Sequence, residues 1–279
     1  MTTRFMRFPG GKSKAVTLSY DDGVEQDLRL VSIMRQYGLK GTFNINAGLF
    51  APEGTVYLKG RVHRRMTREQ ILTAYPEDTC EVACHGYTHP FLDRCDSAVA
   101  CAEIIDDRRG LEELFGRPIH GMAYPFGTTS DTVVDVCRLA GIYYSRTTVS
   151  TEKFDMPKDW LRLPATCHHN NPRLMELCDL FLNKEVKHGS QLFYLWGHSY
   201  EFESDNNWEV IEAFAQKMGG RGDIWYATNM EVYLAQRDFE QLESTADGRA
   251  VYNPTVRPVW FANRYGKCFM VPPGETIHI

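Results

Sequence analysis

Residues 15–23 read Ala15-Val16-Thr17-Leu18-Ser19-Tyr20-Asp21-Asp22-Gly23. The first six, rich in apolar and β-branched types, predict a strand, and the paired aspartates before glycine predict a turn at its carboxyl end. From Gln26 to Tyr37 the spacing changes to that of a helix with Leu28, Leu30, Val31, Ile33 and Met34 inward. Gly38 follows as the residue past the helix end that adopts a left-handed conformation without strain. Strand, polar turn and amphipathic helix make one unit.

That unit recurs along the chain. Gly41 to Asn46 is the next strand, and Thr67-Arg68-Glu69-Gln70 fits a capping box opening a short helix. Cys80 to Cys84 is a third strand, followed by a helix from about Ser97 to Phe115 that stops at Gly116. Ile119 to Tyr124 is a fourth, after which Ser130 caps a helix ending at Gly141. Ile142 to Ser145 is a fifth, and Asn171-Pro172 opens a helix running towards Val186. Gln191 to Trp196 is a sixth, with a helix near Trp208 to Met218. Ile224 to Ala227 is a seventh, with Asn229 capping a last helix. Seven strand–helix pairs predict an α/β fold on a parallel sheet, open or closed into a barrel. From about Asp247 short strands split by turns predict a small β appendage. The expected division is a barrel over 1–246 and the appendage over 247–279.

The composition of the 279 residues, 43% hydrophobic and 24% charged, is that of a globular protein. A net charge of −5 argues against nucleic-acid and membrane-surface partners. Met1 to Met6 lacks a secretory signal's apolar stretch, and no run reaches the roughly 20 apolar residues of a membrane span, so a cytoplasmic protein is expected. The eight cysteines include no CxxC pair and are expected to be buried apolar residues in a reducing compartment. Oligomeric state is open, and the appendage could pair two subunits into a homodimer.

Polar groups gather where predicted strands end. Asp21-Asp22-Gly23 follows the first strand, His85-Gly86-Tyr87-Thr88-His89 the third, Tyr124-Pro125-Phe126-Gly127 the fourth and Gly197-His198-Ser199 the sixth. In a parallel sheet these ends share one face. Two histidines four apart, on one side of a helical turn, and one carboxylate from Asp21 or Asp22 make a ligand set for a hydrolytic metal ion with a position open to water. The other aspartate is then placed to accept a proton, and His198 to deliver one. Backbone N–H groups of the 125–127 turn suit an oxyanion.

These residues resemble the polysaccharide deacetylases, also called carbohydrate esterase family four or the NodB-homology fold. Ser19-Tyr20-Asp21-Asp22-Gly23 resembles the family's T-F-D-D-G motif and His85 to His89 its H-G-x-x-H motif. Ala123-Tyr124-Pro125-Phe126-Gly127 is similar to R-x-P-[YF]-G, and Leu195-Trp196-Gly197-His198-Ser199 to L-x-H-[DS]. The resemblance spans roughly residues 14–235 and implies an irregular (β/α) barrel of about seven strands. It implies Asp21 as general base, His198 as general acid, and Asp22, His85 and His89 as ligands of one divalent ion. Zinc is expected, with cobalt, nickel or manganese as substitutes. It further implies the Phe126 N–H as oxyanion donor, with Tyr124, Pro125 and Trp196 beside the substrate, an acetylated sugar or oligosaccharide.

Three departures stand out. Ala123 replaces the arginine that pairs with the base, so either another group tunes Asp21, with Arg162 and Arg146 as candidates, or the chemistry is altered. The fourth motif, an Asp-Trp element orienting the acid, has two candidates: Asp159-Trp160 and Cys167-His168-His169. Ser199 replaces a frequent aspartate and opens His198-Ser199-Tyr200-Glu201-Phe202, whose aromatic and acidic groups could meet substrate. Among the tryptophans, Trp160 and Trp196 are the candidates for sugar stacking. The Arg61 to Arg65 cluster reads as a solvated loop, and His63, His120, His188 and His278 show no partner pattern. The expected activity is N- or O-deacetylation of a carbohydrate. Hydrolysis of a small non-sugar amide, as in the allantoinase-like relatives, is the alternative, and a catalytically silent carbohydrate-binding protein a third.

Overall fold

The computed structural model describes residues 4–279, so Met1–Thr3 of the N-terminal reading lie outside the described residues. The strands are β1 (Arg4–Arg7), β2 (Lys14–Asp21), β3 (Gly41–Ile45), β4 (Cys80–Cys84), β5 (Gly121–Ala123), β6 (Tyr144–Ser150), β7 (Leu163–Ala165), β8 (Cys167–His168), β9 (Gln191–Gly197), β10 (Ile224–Tyr226), β11 (Glu243–Ser244), β12 (Ala250–Tyr252), β13 (Val259–Asn263), β14 (Cys268–Val271) and β15 (Thr276–His278). The helices are α1 (Asp27–Gln36), α2 (Arg68–Ala74), α3 (Ser97–Phe115), α4 (Asp131–Leu139), α5 (Leu174–Asn183), α6 (Ser199–Ser204), α7 (Glu209–Met218) and α8 (Asn229–Glu240).

The main sheet is parallel and runs β7-β6-β5-β4-β3-β2-β9-β8. Its two ends, β7 and β8, are successive pieces of one extended stretch, 163–168. Between them Thr166 donates its N–H to Tyr194 O at 2.9 Å. That stretch closes the sheet into an irregular barrel of seven strands. It escaped the sequence reading because Pro164 argues against a strand. The pairing of β6 with β7 is broken by a register shift between Arg146 and Ser150, which accommodates the proline. The expected seventh strand exists as β10 but does not close the barrel. It lies on the lower half of β2, Ile224–Tyr226 against Lys14–Val16, below the β3 pairing at Leu18–Asp21.

Most helices match their caps. Thr67 and Gln70 form the capping box of α2, Ser130 accepts the Val133 N–H at 3.2 Å, and Gly116 ends α3 with φ 65°. Leu28 is a correction, being 48% exposed. It lies about 200° around the helix from Leu30, whereas Asp27 takes the inward position and is fully buried. Asn229 is another: Thr228, with Glu231, caps α8. The Asn229 side chain instead enters the barrel, accepting from Thr17 Oγ1 at 3.0 Å and donating to Tyr194 OH at 2.6 Å.

Two small antiparallel sheets, β1-β13-β14 and β11-β12-β15, make up the appendage. Its composition differs from the 247–279 division, because Arg4–Arg7 pairs with Trp260–Asn263. The chain's start is therefore part of that sheet. Among the described residues no helix is long and apolar enough to cross a membrane, and no cysteines are paired.

Candidate active site

The carboxyl ends of β2, β4, β5 and β9 bring the expected residues together. Ligand atoms of Asp22, His85 and His89 lie within 4.8 Å of one another. In a continuing strand Asp22 would face away from Asp21. Its φ of 84° breaks that alternation, held by a bond from its N–H to Asn44 O at 2.9 Å. The two histidines converge differently from the expected helical turn. Their loop bends through Gly86 at φ 74° and His89 at φ 60°, and the rings meet edge to face at 4.8 Å. A side chain at Gly86 would also press on Pro125 Cγ at 3.0 Å.

His85 donates from Nδ1 to Ala123 O at 2.8 Å, which leaves Nε2 to face the carboxylates. Burial lowers the pKa of His85, and burial with the neighbouring His85 lowers that of His89 to about 4. Both rings are neutral near pH 7, the state a metal ligand needs. Burial alone would raise Asp22. A hydrogen bond with His63 and the charges of His85 and Arg65 hold it well below the carboxylate range. One carboxylate and two neutral imidazoles fit zinc or a similar divalent ion.

Asp21 is buried behind this set. Arg146 pairs with its Oδ2, and Asn44 Nδ2 donates to Oδ1 at 2.8 Å. Arg146 thus supplies the cation missing at Ala123. Arg162 bonds Asp131 and Asp159 instead. His85 Nε2 and His198 Nε2 each lie 3.8 Å from Asp21 Oδ2, one on either side. The arginine and the two rings outweigh burial and lower the Asp21 pKa, keeping it anionic.

His198 caps α6 and contacts Glu201 through Nδ1 at 3.2 Å. Burial pulls its pKa down, but Glu201 and Asp21 more than offset this and the net shift is upward. Of the fourth-motif candidates, His168 and His169 reach this region, each with Nε2 at 3.1 Å from Glu201 Oε2. Asp159 does not: it caps the turn at Leu161 and pairs with Arg162. In the 198–202 stretch, Ser199 and Phe202 are buried, and Ser199 donates to Asp27 at 2.5 Å. Tyr200 stands on the rim against His63 and His198.

The residues assigned to substrate separate. Phe126 is 48% exposed, has φ 58°, stacks on Phe91 at 3.7 Å and meets His89 edge to face. In its turn Pro125 has no N–H and Gly127 donates to Tyr124 O, which leaves the Phe126 N–H as donor. Tyr124 is a correction. Its side chain is buried and donates to Leu161 O at 2.8 Å, supporting the turn from below. Trp196 is another: it is buried with the Arg146 guanidinium over its ring at 4.5 Å, so it backs the partner of Asp21. Trp160 is half-buried and packs edge-on against Tyr233 of α8.

Three residues at the site went unread in the sequence, and a fourth was read only as a substrate contact. Arg65 donates to Asp22 Oδ1 at 3.0 Å, to Asp22 O at 2.5 Å and to Asn46 Oδ1 at 2.6 Å. His63 lies 3.3 Å from Asp22 Oδ2. The cluster read as a solvated loop therefore clamps Asp22, with Arg64 bonded to Glu25 and Glu203 behind it. Asp107, on the inward stripe of α3, accepts the backbone N–H groups of Ala47 and His85 at 2.6 and 2.7 Å. Glu201, three residues after a histidine, is the fourth. An acidic residue on an otherwise apolar helix face was a usable signal for Asp107 alone.

The sequence profile of the family described as polysaccharide deacetylase matches residues 8–145. No curated protein matches the chain in sequence. Among solved structures, one from Mycobacterium smegmatis assigned to the polysaccharide deacetylases is 16% identical, with a TM-score of 0.60 over 86% of this chain and 96% of that one. A family 4 carbohydrate esterase from Streptomyces lividans, in complex with acetate, is 18% identical over 74% of this chain and 88% of its own, with a TM-score of 0.49. A Streptococcus pyogenes deacetylase, also with acetate, is 21% identical with a TM-score of 0.41 over 47% of this chain. The present chain spans 55% of that protein's length. The Mycobacterium likeness is one of fold. The sequence match carries the paired aspartates and paired histidines at the ends of β2 and β4: over residues 8–145 the chain is similar to the polysaccharide deacetylase family.

Proposed function

We propose that this protein is a metal-dependent hydrolase that removes N- or O-linked acetyl groups from a carbohydrate. The observation that carries the reading is the meeting of Asp22, His85 and His89 at one rim, with Asp21 between His85 and His198. A divalent ion held by Asp22, His85 and His89 would supply Lewis acidity to the acetyl carbonyl and lower the pKa of water. Asp21, anionic beside Arg146, takes the proton of the water that adds to the acetyl carbon. The Phe126 N–H donates to the oxygen that gains charge. His198 gives the proton on Nε2 to the leaving nitrogen or oxygen as its bond to the acetyl carbon breaks. The proton on Asp21 then returns to His198 Nε2, 3.8 Å away, and acetate leaves. Arg146 fills the place of the arginine absent at Ala123, which favours this reading over hydrolysis of a non-sugar amide.

The test is acetate release from acetylated glucosamine oligomers and acetylated xylan by protein of known zinc content. Acetate from either, dependent on the metal, supports the proposal. Metal-loaded protein that binds these sugars without releasing acetate points to the silent alternative, and turnover confined to small amides to the other.

A further inference from the structure

Three imidazoles converge on one carboxylate. Glu201 Oε2 lies 3.1 Å from Nε2 of both His168 and His169, and Oε1 lies 3.2 Å from His198 Nδ1. The chain makes room for this. A Cβ on Gly197 would fall 2.0 Å from His169 Nδ1, so only glycine admits that ring, which is stacked on Phe202 at 4.1 Å. The short helix carrying Glu201 is fixed at its start by the buried Ser199–Asp27 bond.

Donor atoms of His168, His198 and Glu201 lie within 4.8 Å of one another, a spacing that also suits a metal ion. The tautomer decides between the readings. The Asn170 N–H points at His168 Nδ1 at 3.1 Å, so Nδ1 accepts and Nε2 carries the proton. A protonated Nε2, which faces Glu201 Oε2 at 3.1 Å, cannot bind a metal.

We propose that Glu201 is the positioning residue of the acid: it holds His198 with Nδ1–H on the carboxylate and Nε2 towards Asp21, while His168 and His169 hold Glu201. This rests on the deacetylase reading above and supplies, from one turn of α6, the orienting carboxylate that Asp159 does not. A ring of contacts joins acid to base. Asp21 pairs with Arg146, Arg146 lies on Trp196, and Trp196 meets the edge of His168 at 4.5 Å. His168 contacts Glu201, which contacts His198. The charged and titratable groups facing His198 are Asp21 and Asp22 from the end of β2, Glu201 and Tyr200 from α6, and His168 and His169 from the end of β8. When His198 gives up the Nε2 proton it stays neutral with Nδ1–H on Glu201, ready to be recharged.

Two measurements on the zinc-loaded protein test this. Nitrogen-15 NMR of the histidines, without substrate, reads the His198 tautomer whether or not acetate is ever released. The expected result is Nδ1–H in the neutral ring, and a neutral Nε2–H ring overturns the proposal. In turnover, Glu201→Gln is expected to lower kcat about 10- to 100-fold with KM within about twofold, the range seen when a partner orienting an active-site histidine is lost. It also moves the alkaline limb of the kcat–pH profile to lower pH, and Glu201→Asp recovers part of both. An unmoved limb in Glu201→Gln overturns the proposal. So does a second zinc equivalent bound by the wild type and lost in that variant. Absence of acetate release by the wild type sinks the deacetylase reading and leaves the NMR result standing on its own.

Discussion

The histidines that share one rim are shifted in opposite directions. His85 and His89 are pushed towards the neutral form by burial, His89 to about 4, although Asp21 and Asp22 are close. His198, only partly buried, is pushed the other way because Glu201 adds a dedicated carboxylate. A lowered pKa favours the neutral ring that a metal ion needs, and a raised one favours a ring that can donate a proton. Desolvation lowers all three, so what separates them is the number of carboxylate oxygens within reach and where those are already committed. Asp22 is taken up by Arg65 and His63, and Asp21 by Arg146 and Asn44, whereas Glu201 has imidazoles as its partners.

The metal side can be broken most completely. His89→Ala is expected to abolish stoichiometric zinc binding and acetate release together, measured by metal analysis after gel filtration. A variant that retains one zinc per chain removes His89 from the site. Asp21→Asn separates base from ligand. It is expected to cost about 10² to 10⁴-fold in kcat while zinc stays bound, and full activity refutes the base assignment. Arg146→Met leaves Asp21 buried and uncompensated, with an expected loss of about 3–5 kcal/mol of stability in denaturant titration. Arg65→Met is milder, with zinc affinity expected to fall about 10- to 100-fold because the Asp22 carboxylate loses its clamp. Competition with a chromophoric chelator reads it, and an unchanged affinity makes Arg65 a fold residue only.

The comparison also has a pH signature. A group whose pKa is raised keeps its proton above the ordinary value, so His198 stays charged above 6.5 and activity falls only as pH climbs through its raised value. His89, lowered to about 4, remains available to a metal until pH drops that far. A steady-state profile whose alkaline limb lay below 6.5 would contradict the charged state of His198.

The metal side was legible because its parts are local in sequence. Asp21-Asp22 ends one strand, and His85 and His89 lie four apart after another, so strand prediction alone places them on one face. The acid side draws on 168–169, 196–198 and 201, and its carboxylate lies in a helix of six residues with no amphipathic signal. The closing strand at 163–168 was hidden by Pro164, and without it His168 and His169 stood only as one of two candidates for the place beside His198. Arg65 and His63 were unreadable for another reason: a loop's basic residues look solvated until the fold returns them to Asp22. Strand alternation misdirects at Asp22 itself, where a φ of 84° turns the side chain.

One measurement tests the metal-dependent deacetylase most directly: acetate released from acetylated glucosamine oligomers as zinc is titrated into chelator-stripped protein. Activity rising linearly to one zinc per chain, and lost again on adding chelator, is the predicted result. Acetate release that is independent of metal, or a bound zinc with no release from any acetylated sugar, would contradict it.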